Sequence, residues 1–193
     1  MPRISVDDDV ELFVRDWGEG EPIVFLHGWP LSHRMYEQQF TDLVERGFRC
    51  IGVDLRGYGQ SDKPWSDYSY DTFADDVRAV LDELDVEDVT LAGFSMGGGI
   101  ATHYMSRHDG AGVERLALAA ASPCLTEKPD FPQGLDEAEV NPLVEGARED
   151  RPAMLSQFTD MLFHTEVSEE TKRWLEGIGG DASPQATIES AKT

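Results

Sequence analysis

The stretch Val89-Thr90-Leu91-Ala92-Gly93-Phe94-Ser95-Met96-Gly97-Gly98-Gly99 restricts what this chain can fold into more than any other. Val89, Leu91 and Ala92 read as a short apolar strand, and Ile100, Tyr104 and Met105 follow at helical spacing. Between strand and helix stands a serine with a glycine two residues before it and another two residues after it. A strand that turns directly into a helix brings the two backbones almost into contact, so a Cβ at either flanking position would collide. The residue at the apex is driven into a sparsely populated backbone conformation, and its side chain is lifted clear of the sheet. There it faces the N–H groups that open the helix, which suit a negatively charged oxygen. A glycine-rich turn without chemistry would share the glycines. The strand before and the helix after single out Ser95 as a candidate nucleophile.

The rest of the chain alternates in the same way. Positions 10–17 alternate and stop at Gly18-Glu19-Gly20, which reads as an antiparallel edge strand. Positions 22–26 form a buried strand that ends at His27-Gly28-Trp29-Pro30. Ser32 is placed to cap a helix with Tyr36, Phe40, Leu43 and Val44 on one face. The next buried strand, 48–55, runs into a polar glycine loop over 56–64, and Asp71 is expected to cap a second amphipathic helix. After the serine turn and its helix, 113–121 is the last strand signal. Strands alternating with helices imply a mostly parallel sheet with helices on both faces, so the fold class is α/β.

From Leu125 onward Pro129, Pro132 and Pro142 punctuate helical patterns, one carrying Met154, Phe158, Met161 and Leu162 and another Trp174 and Leu175. Ser183-Pro184 starts the last helix. The chain divides into a sheet core over 1–124 and a helical lid over 125–193.

Charge narrows the partners. The chain has 38 acidic against 16 basic residues, a formal net charge of -22, and its only lysines are Lys63, Lys128, Lys172 and Lys192. This excludes nucleic acid and anionic membrane as natural partners. The acids are spread along the chain, as on a protein from a salt-loaded cytosol where screening relieves self-repulsion. Cys50 and Cys124 lie in or beside apolar strands without metal-ligand spacing, so they read as buried thiols of a reducing compartment, with no metal site. No segment approaches the ~18 apolar residues of a membrane span, and the first residues carry no apolar export signal. The expected location is cytoplasmic.

Three motifs occur in order: His27-Gly28-Trp29-Pro30, Asp54-Leu55-Arg56-Gly57-Tyr58-Gly59-Gln60-Ser61, and Gly93-Phe94-Ser95-Met96-Gly97-Gly98. Together they resemble the α/β-hydrolase family, in particular its small serine esterases, also described as cofactor-free haloperoxidases or perhydrolases. The resemblance implies that Ser95 is the nucleophile and that the backbone N–H groups of Met96 and Trp29 form the oxyanion hole. It implies a pocket walled by His27, Gly28, Phe94 and Phe158, a small ester or acyl substrate, and no cofactor. Asp54 and Arg56 belong to a loop that is mostly structural in the family and stay outside the catalytic set.

One part of the family pattern is missing from these residues. The acid and the histidine of such enzymes follow the serine, on loops after later strands. No strand signal follows Ala121, as though the last two strand–helix units of the fold were lacking. His103 sits two turns along the helix that Ser95 opens, His108 at that helix's end, and His164 in the lid; Glu127 and Asp130 are the acids in view. The resemblance therefore implies either an ester-cleaving serine hydrolase with perhydrolase side activity, or a catalytically incomplete half-domain that binds ligands or assembles. A hydroxynitrile lyase would use the same elbow. Positions 113–121 would form an open apolar edge suited to self-association. The charge balance itself makes a prediction: the unfolding temperature rises between ~0.1 M and ~1 M KCl as screening shortens the Debye length from about 10 Å to about 3 Å. A melting series in KCl checks it, and a flat or falling series would remove the salt-adapted reading.

Overall fold

The computed structural model describes residues 3–124, 126–127, 131–132 and 136–193. Six strands and seven α-helices are formed among them: β1 (Arg3–Asp7), β2 (Val10–Trp17), β3 (Glu21–Leu26), a 3-10 turn (His33–Tyr36) that runs into α1 (Glu37–Glu45), β4 (Phe48–Val53), α2 (Tyr70–Glu83), β5 (Val89–Phe94), α3 (Met96–Arg107), β6 (Val113–Ala119), α4 (Glu137–Glu149), α5 (Arg151–Met161), α6 (Glu169–Gly180) and α7 (Pro184–Ser190). The strands form one sheet in the order β1-β2-β4-β3-β5-β6. β4, β3, β5 and β6 run parallel, while β1 and β2 join antiparallel at one end.

Alternation along the central strands assigns the two faces. Val24 and Leu26 of β3, Ile51 and Val53 of β4, and Val89 and Leu91 of β5 enter a core with Phe73, Val77 and Val80 of α2 and Ile100 and Tyr104 of α3. Phe25 and Cys50 point the other way and meet Phe40 of α1, with Ile23, Leu43 and Ala92 packed around them. Helices therefore cover both faces of the sheet at β3, β4 and β5, while β6 is left largely exposed. The helical segment joins the first of these cores: Val140, Val144, Met154, Leu155, Ala186 and Ile188 are buried in the same cluster.

The glycine loop after β4 is built around a buried charged pair, Arg56 and Asp76. Arg56, 2% exposed, donates Nε and a terminal nitrogen to the two Asp76 oxygens at 2.7 and 2.6 Å. Burial opposes the Arg56 charge, but the Asp76 carboxylate outweighs it and holds the guanidinium above its usual range. Asp7, 3.8 Å away and exposed, is a weaker second partner. Hydrogen bonds tie the helical segment to this loop: Ser183 N–H donates to the Gly57 carbonyl at 2.8 Å, and the Tyr58 hydroxyl lies 2.8 Å from Ser190 Oγ and 3.3 Å from the Ala186 carbonyl.

Several local expectations change. β2 is not the edge, because β1 pairs outside it with Ile4 buried; the alternation Arg3-Ile4-Ser5-Val6-Asp7 suits a strand but does not name its partner. The cap of α2 is Ser69, whose Oγ accepts from the Thr72 N–H at 3.1 Å. Asp71 sits in the first turn instead and pairs with Arg107 of α3 at 3.4 Å. Ser32 caps the 3-10 turn ahead of α1. β6 stops at Ala119 and lies at the sheet edge with Leu116 39% and Leu118 47% exposed. Leu125 and Pro129 fall outside the described residues. Among the described residues, no helix is long and apolar enough to cross a membrane.

Asp76→Ala leaves the Arg56 guanidinium buried without its bidentate partner, and about 3–5 kcal/mol of folding stability should be lost. Replacing both residues by apolar ones, Arg56→Met with Asp76→Leu, should recover most of that loss in urea unfolding. Equal losses in the single and double variants would mean that the charge pairing is not what stabilises the loop.

Candidate active site

Ser95 sits at the apex between β5 and α3 with φ 52° and ψ −119°, a left-handed conformation that residues with a Cβ rarely adopt. Three backbone hydrogen bonds hold it there. Its N–H donates to the Ala119 carbonyl at 3.0 Å, and its carbonyl accepts from Gly98 and Gly99 at 2.9 and 3.1 Å. The flanking glycines are needed for close approach. A Cβ on Gly93 would strike the Gly97 backbone, and one on Gly97 would lie 2.6 Å from the His27 carbonyl oxygen and closer still to that of Leu26. The Ser95 side chain makes no capping hydrogen bond to the first turn of α3, so the hydroxyl is not committed to the helix it opens.

The loop after β3 crosses directly over this apex. A Cβ on Gly28 would lie 3.2 Å from the Ser95 Cβ and 2.8 Å from the Phe94 ring, which places the following residue, Trp29, beside the serine. Met96 is the first residue of α3, where a helix leaves its N–H groups without intrahelical acceptors. The Trp29 side chain is anchored from the helical segment. Its indole N–H donates to the Thr187 carbonyl at 2.8 Å, and the Phe158 ring meets it edge-on at 4.9 Å. Nothing in the sequence marked Thr187, because the acceptor is a backbone carbonyl 158 residues away.

His27 differs from its expected place in the pocket wall. It is fully buried, with Nδ1 3.0 Å from the Gly28 carbonyl and Nε2 accepting from the Leu55 N–H at 3.1 Å. That pairing assigns the proton to Nδ1, and the ring acts as a clamp between the Trp29 loop and the end of β4. Burial pushes its pKa down from 6.5 to about 4. Gly28 and Phe94 do adjoin Ser95, and Phe158 reaches the site through Trp29.

Each of the other titratable candidates is placed elsewhere. His33 is buried against Asp54, with Nδ1 2.7 Å and the backbone N–H 2.8 Å from one carboxylate oxygen. Burial alone would raise the Asp54 pKa, yet the His33 hydrogen bond and charge, with help from His27 and the Gln60 N–H, hold it below the usual carboxylate range. His103 lies 3.3 Å from Asp71 and His108 3.0 Å from Asp75. His164 and Glu127 are exposed, and Asp130 is outside the described residues. Among the described residues, no histidine has a hydrogen bond or ion pair with Ser95, and no group of His, Cys, Asp and Glu is arranged to hold a metal ion.

The family model described as alpha/beta hydrolase fold matches residues 21–159. The chain is 50% identical over 188 residues to the AB hydrolase superfamily protein YisY of Bacillus subtilis, an alignment covering 97% of this chain and 70% of that protein. It is 41% identical over 153 residues to the non-heme chloroperoxidase CPO-A1 of Kitasatospora aureofaciens, covering 78% of this chain and 55% of that one. Among solved structures it is similar to an esterase (EaEST) from Exiguobacterium antarcticum, with a TM-score of 0.94 and 43% identity over 98% of this chain and 71% of the esterase.

The His27 clamp makes stability depend on pH with a defined sign. The unfolded chain takes up the His27 proton near pH 6.5, the folded chain only near 4, so stability present above 6.5 falls as pH drops towards 4. The shift corresponds to roughly 3 kcal/mol. Urea unfolding across this pH range should show that fall, and His27→Gln should flatten it; the same slope in both proteins would clear His27 of the effect.

Proposed function

The chain belongs to the α/β-hydrolase family, and from that premise we propose that it is a serine hydrolase cleaving small carboxylic esters through an acyl-serine intermediate on Ser95. The observation that carries this reading is the left-handed Ser95, its hydroxyl uncapped, with the Trp29 loop crossing it and α3 starting behind it. Ser95 Oγ attacks the ester carbonyl carbon, and the carbonyl oxygen becomes an oxyanion facing the Met96 and Trp29 N–H groups. Collapse expels the alcohol and leaves the acyl group on Ser95. Water then releases the acid. Hydrogen peroxide in place of water would release a peracid, which can oxidise halide; the chloroperoxidase name of one relative suits that side activity.

The Oγ proton needs an acceptor during attack, and among the described residues no histidine is hydrogen-bonded to Ser95: His27, His33, His103 and His108 are engaged with Leu55, Asp54, Asp71 and Asp75. The reading therefore takes the base and its acid from outside these 193 residues, from further sequence, as the greater length of the three relatives allows, or from another chain. Without them the loss in turnover is on the order of 10⁶, and oxyanion hole and binding leave only about 10³–10⁴ over water. A second reading, a binding or assembly half-domain, is favoured by the exposed β6 edge with Leu116 and Leu118.

Labelling by a fluorophosphonate in ~1 M KCl, where surface repulsion is screened, separates the two. Fast labelling of the wild type that is abolished in Ser95→Ala is the expected result for a working hydrolase. Wild-type labelling as slow as that of Ser95→Ala would refute an activated serine in this chain and leave the half-domain reading.

A further inference from the structure

A cleft of about 290 Å³ lies beside the buried His33–Asp54 pair, and its lining includes none of the residues that adjoin Ser95. Its floor is made of buried Ser32, His33, Phe40 and Asp54, and its walls of half-buried Arg15 and Arg34. Exposed Trp17, Glu37 and Asp181 stand at the mouth, the last at the end of α6. Asp54 is fully engaged by the scaffold. One of its oxygens takes the His33 N–H at 2.8 Å and Nδ1 at 2.7 Å, and the other takes the Gln60 N–H at 2.9 Å. Nε2 is therefore the His33 ring nitrogen left to meet a ligand.

The walls add positive charge on an apolar backing. Among the described residues, the one side-chain hydrogen bond of Arg34 runs from Nε to Glu37 at 3.2 Å. Its two terminal nitrogens keep the parallel geometry that receives both oxygens of a carboxylate. The Arg15 guanidinium is held 4.9 Å from the Trp17 ring centroid. In a chain with 38 acidic and 16 basic residues, two arginines and a histidine around one cleft are a local reversal of sign. Glu37 and Asp181 are in water, where their repulsion is weaker than the attraction of the half-buried guanidinium groups. They still disfavour a second negative charge at the mouth. The volume equals roughly ten water molecules at about 30 Å³ each, room for an acid of a few carbons. We infer that this cleft binds a small monocarboxylate, its head between Arg15, Arg34 and His33 Nε2 and its chain along Trp17 and Phe40. Nε2 and the head meet across one proton. The site stands independently of Ser95.

The imidazole signals of protein labelled with nitrogen-15 histidine give the readout. Titration with sodium butyrate, with KCl adjusted to hold the ionic strength constant, is expected to shift the His33 ring signals saturably. His33→Asn, which keeps a donor towards Asp54, identifies those signals by their loss. Butyramide, which has the same shape without the charge, should leave them in place. Arg34→Gln should need about tenfold more butyrate, as expected for loss of a charged hydrogen-bonding partner. A linear response, an equal response to butyramide, or an unaltered midpoint in Arg34→Gln would overturn the site. A response confined to His27 would put butyrate beside the elbow and overturn it equally. Ser95→Ala should bind butyrate as the wild type does, so this site and the nucleophile fail separately.

Discussion

Where α3 leaves the sheet, the Gly97 backbone lies against the carbonyls of Leu26 and His27, and Gly93 lies against Gly97. Much of the architecture follows from that near-contact. It requires glycine on either side of Ser95, forces the serine into its left-handed conformation, and aligns the start of α3 with the ends of β3 and β5. The Trp29 loop is then laid across the serine because β3 ends beside β5. A single steric condition therefore sets both the position of Ser95 and that of the Trp29 loop and first turn of α3 beside it.

The second determinant is how the Trp29 loop is held. From below, His27 bridges the Gly28 carbonyl and the Leu55 amide in a fully buried position where only the neutral ring is favourable. From above, the Thr187 carbonyl and the Phe158 ring fix the indole. The helical segment thus does more than cover the sheet. It shares the main core, hydrogen-bonds to the glycine loop through Ser183 and Ser190, and anchors the side chain of Trp29, the residue proposed as an oxyanion donor. The charged residues of the glycine loop, Asp54 and Arg56, serve that scaffold: each is buried and matched to an internal partner, His33 and Asp76. Pairing of this kind offsets part of the desolvation cost of a buried charge and leaves neither group available to a substrate.

Much of this was legible in the sequence where a local rule applies. Period-two and helical patterns located every parallel strand and the helices between them, since burial on one or two faces imposes those periods directly. The glycine spacing around Ser95 was legible because a Cβ collision is a local fact. The misses share a cause. The alternation Arg3-Ile4-Ser5-Val6-Asp7 suits a strand but does not say which strand it pairs with, and Ser69 and Asp71 both suit an N-cap, so only the backbone decides. His27 looked like a pocket residue by its position in the loop. Its ring nitrogens turn inward because the Leu55 amide lies where no sequence neighbour could supply an acceptor.

By itself, the sequence determined the fold class, the elbow, the serine at its apex and the acidic surface, because each depends on residue type at short spacing. Only the tertiary structure decided that His27 is a clamp, that Arg56 belongs to Asp76, that Trp29 is anchored on Thr187, and that a cleft opens between Arg15 and Asp54. Those facts join residues 20 to 158 positions apart. They depend on where packed elements come to rest against one another, and no local pattern of side chains encodes that distance.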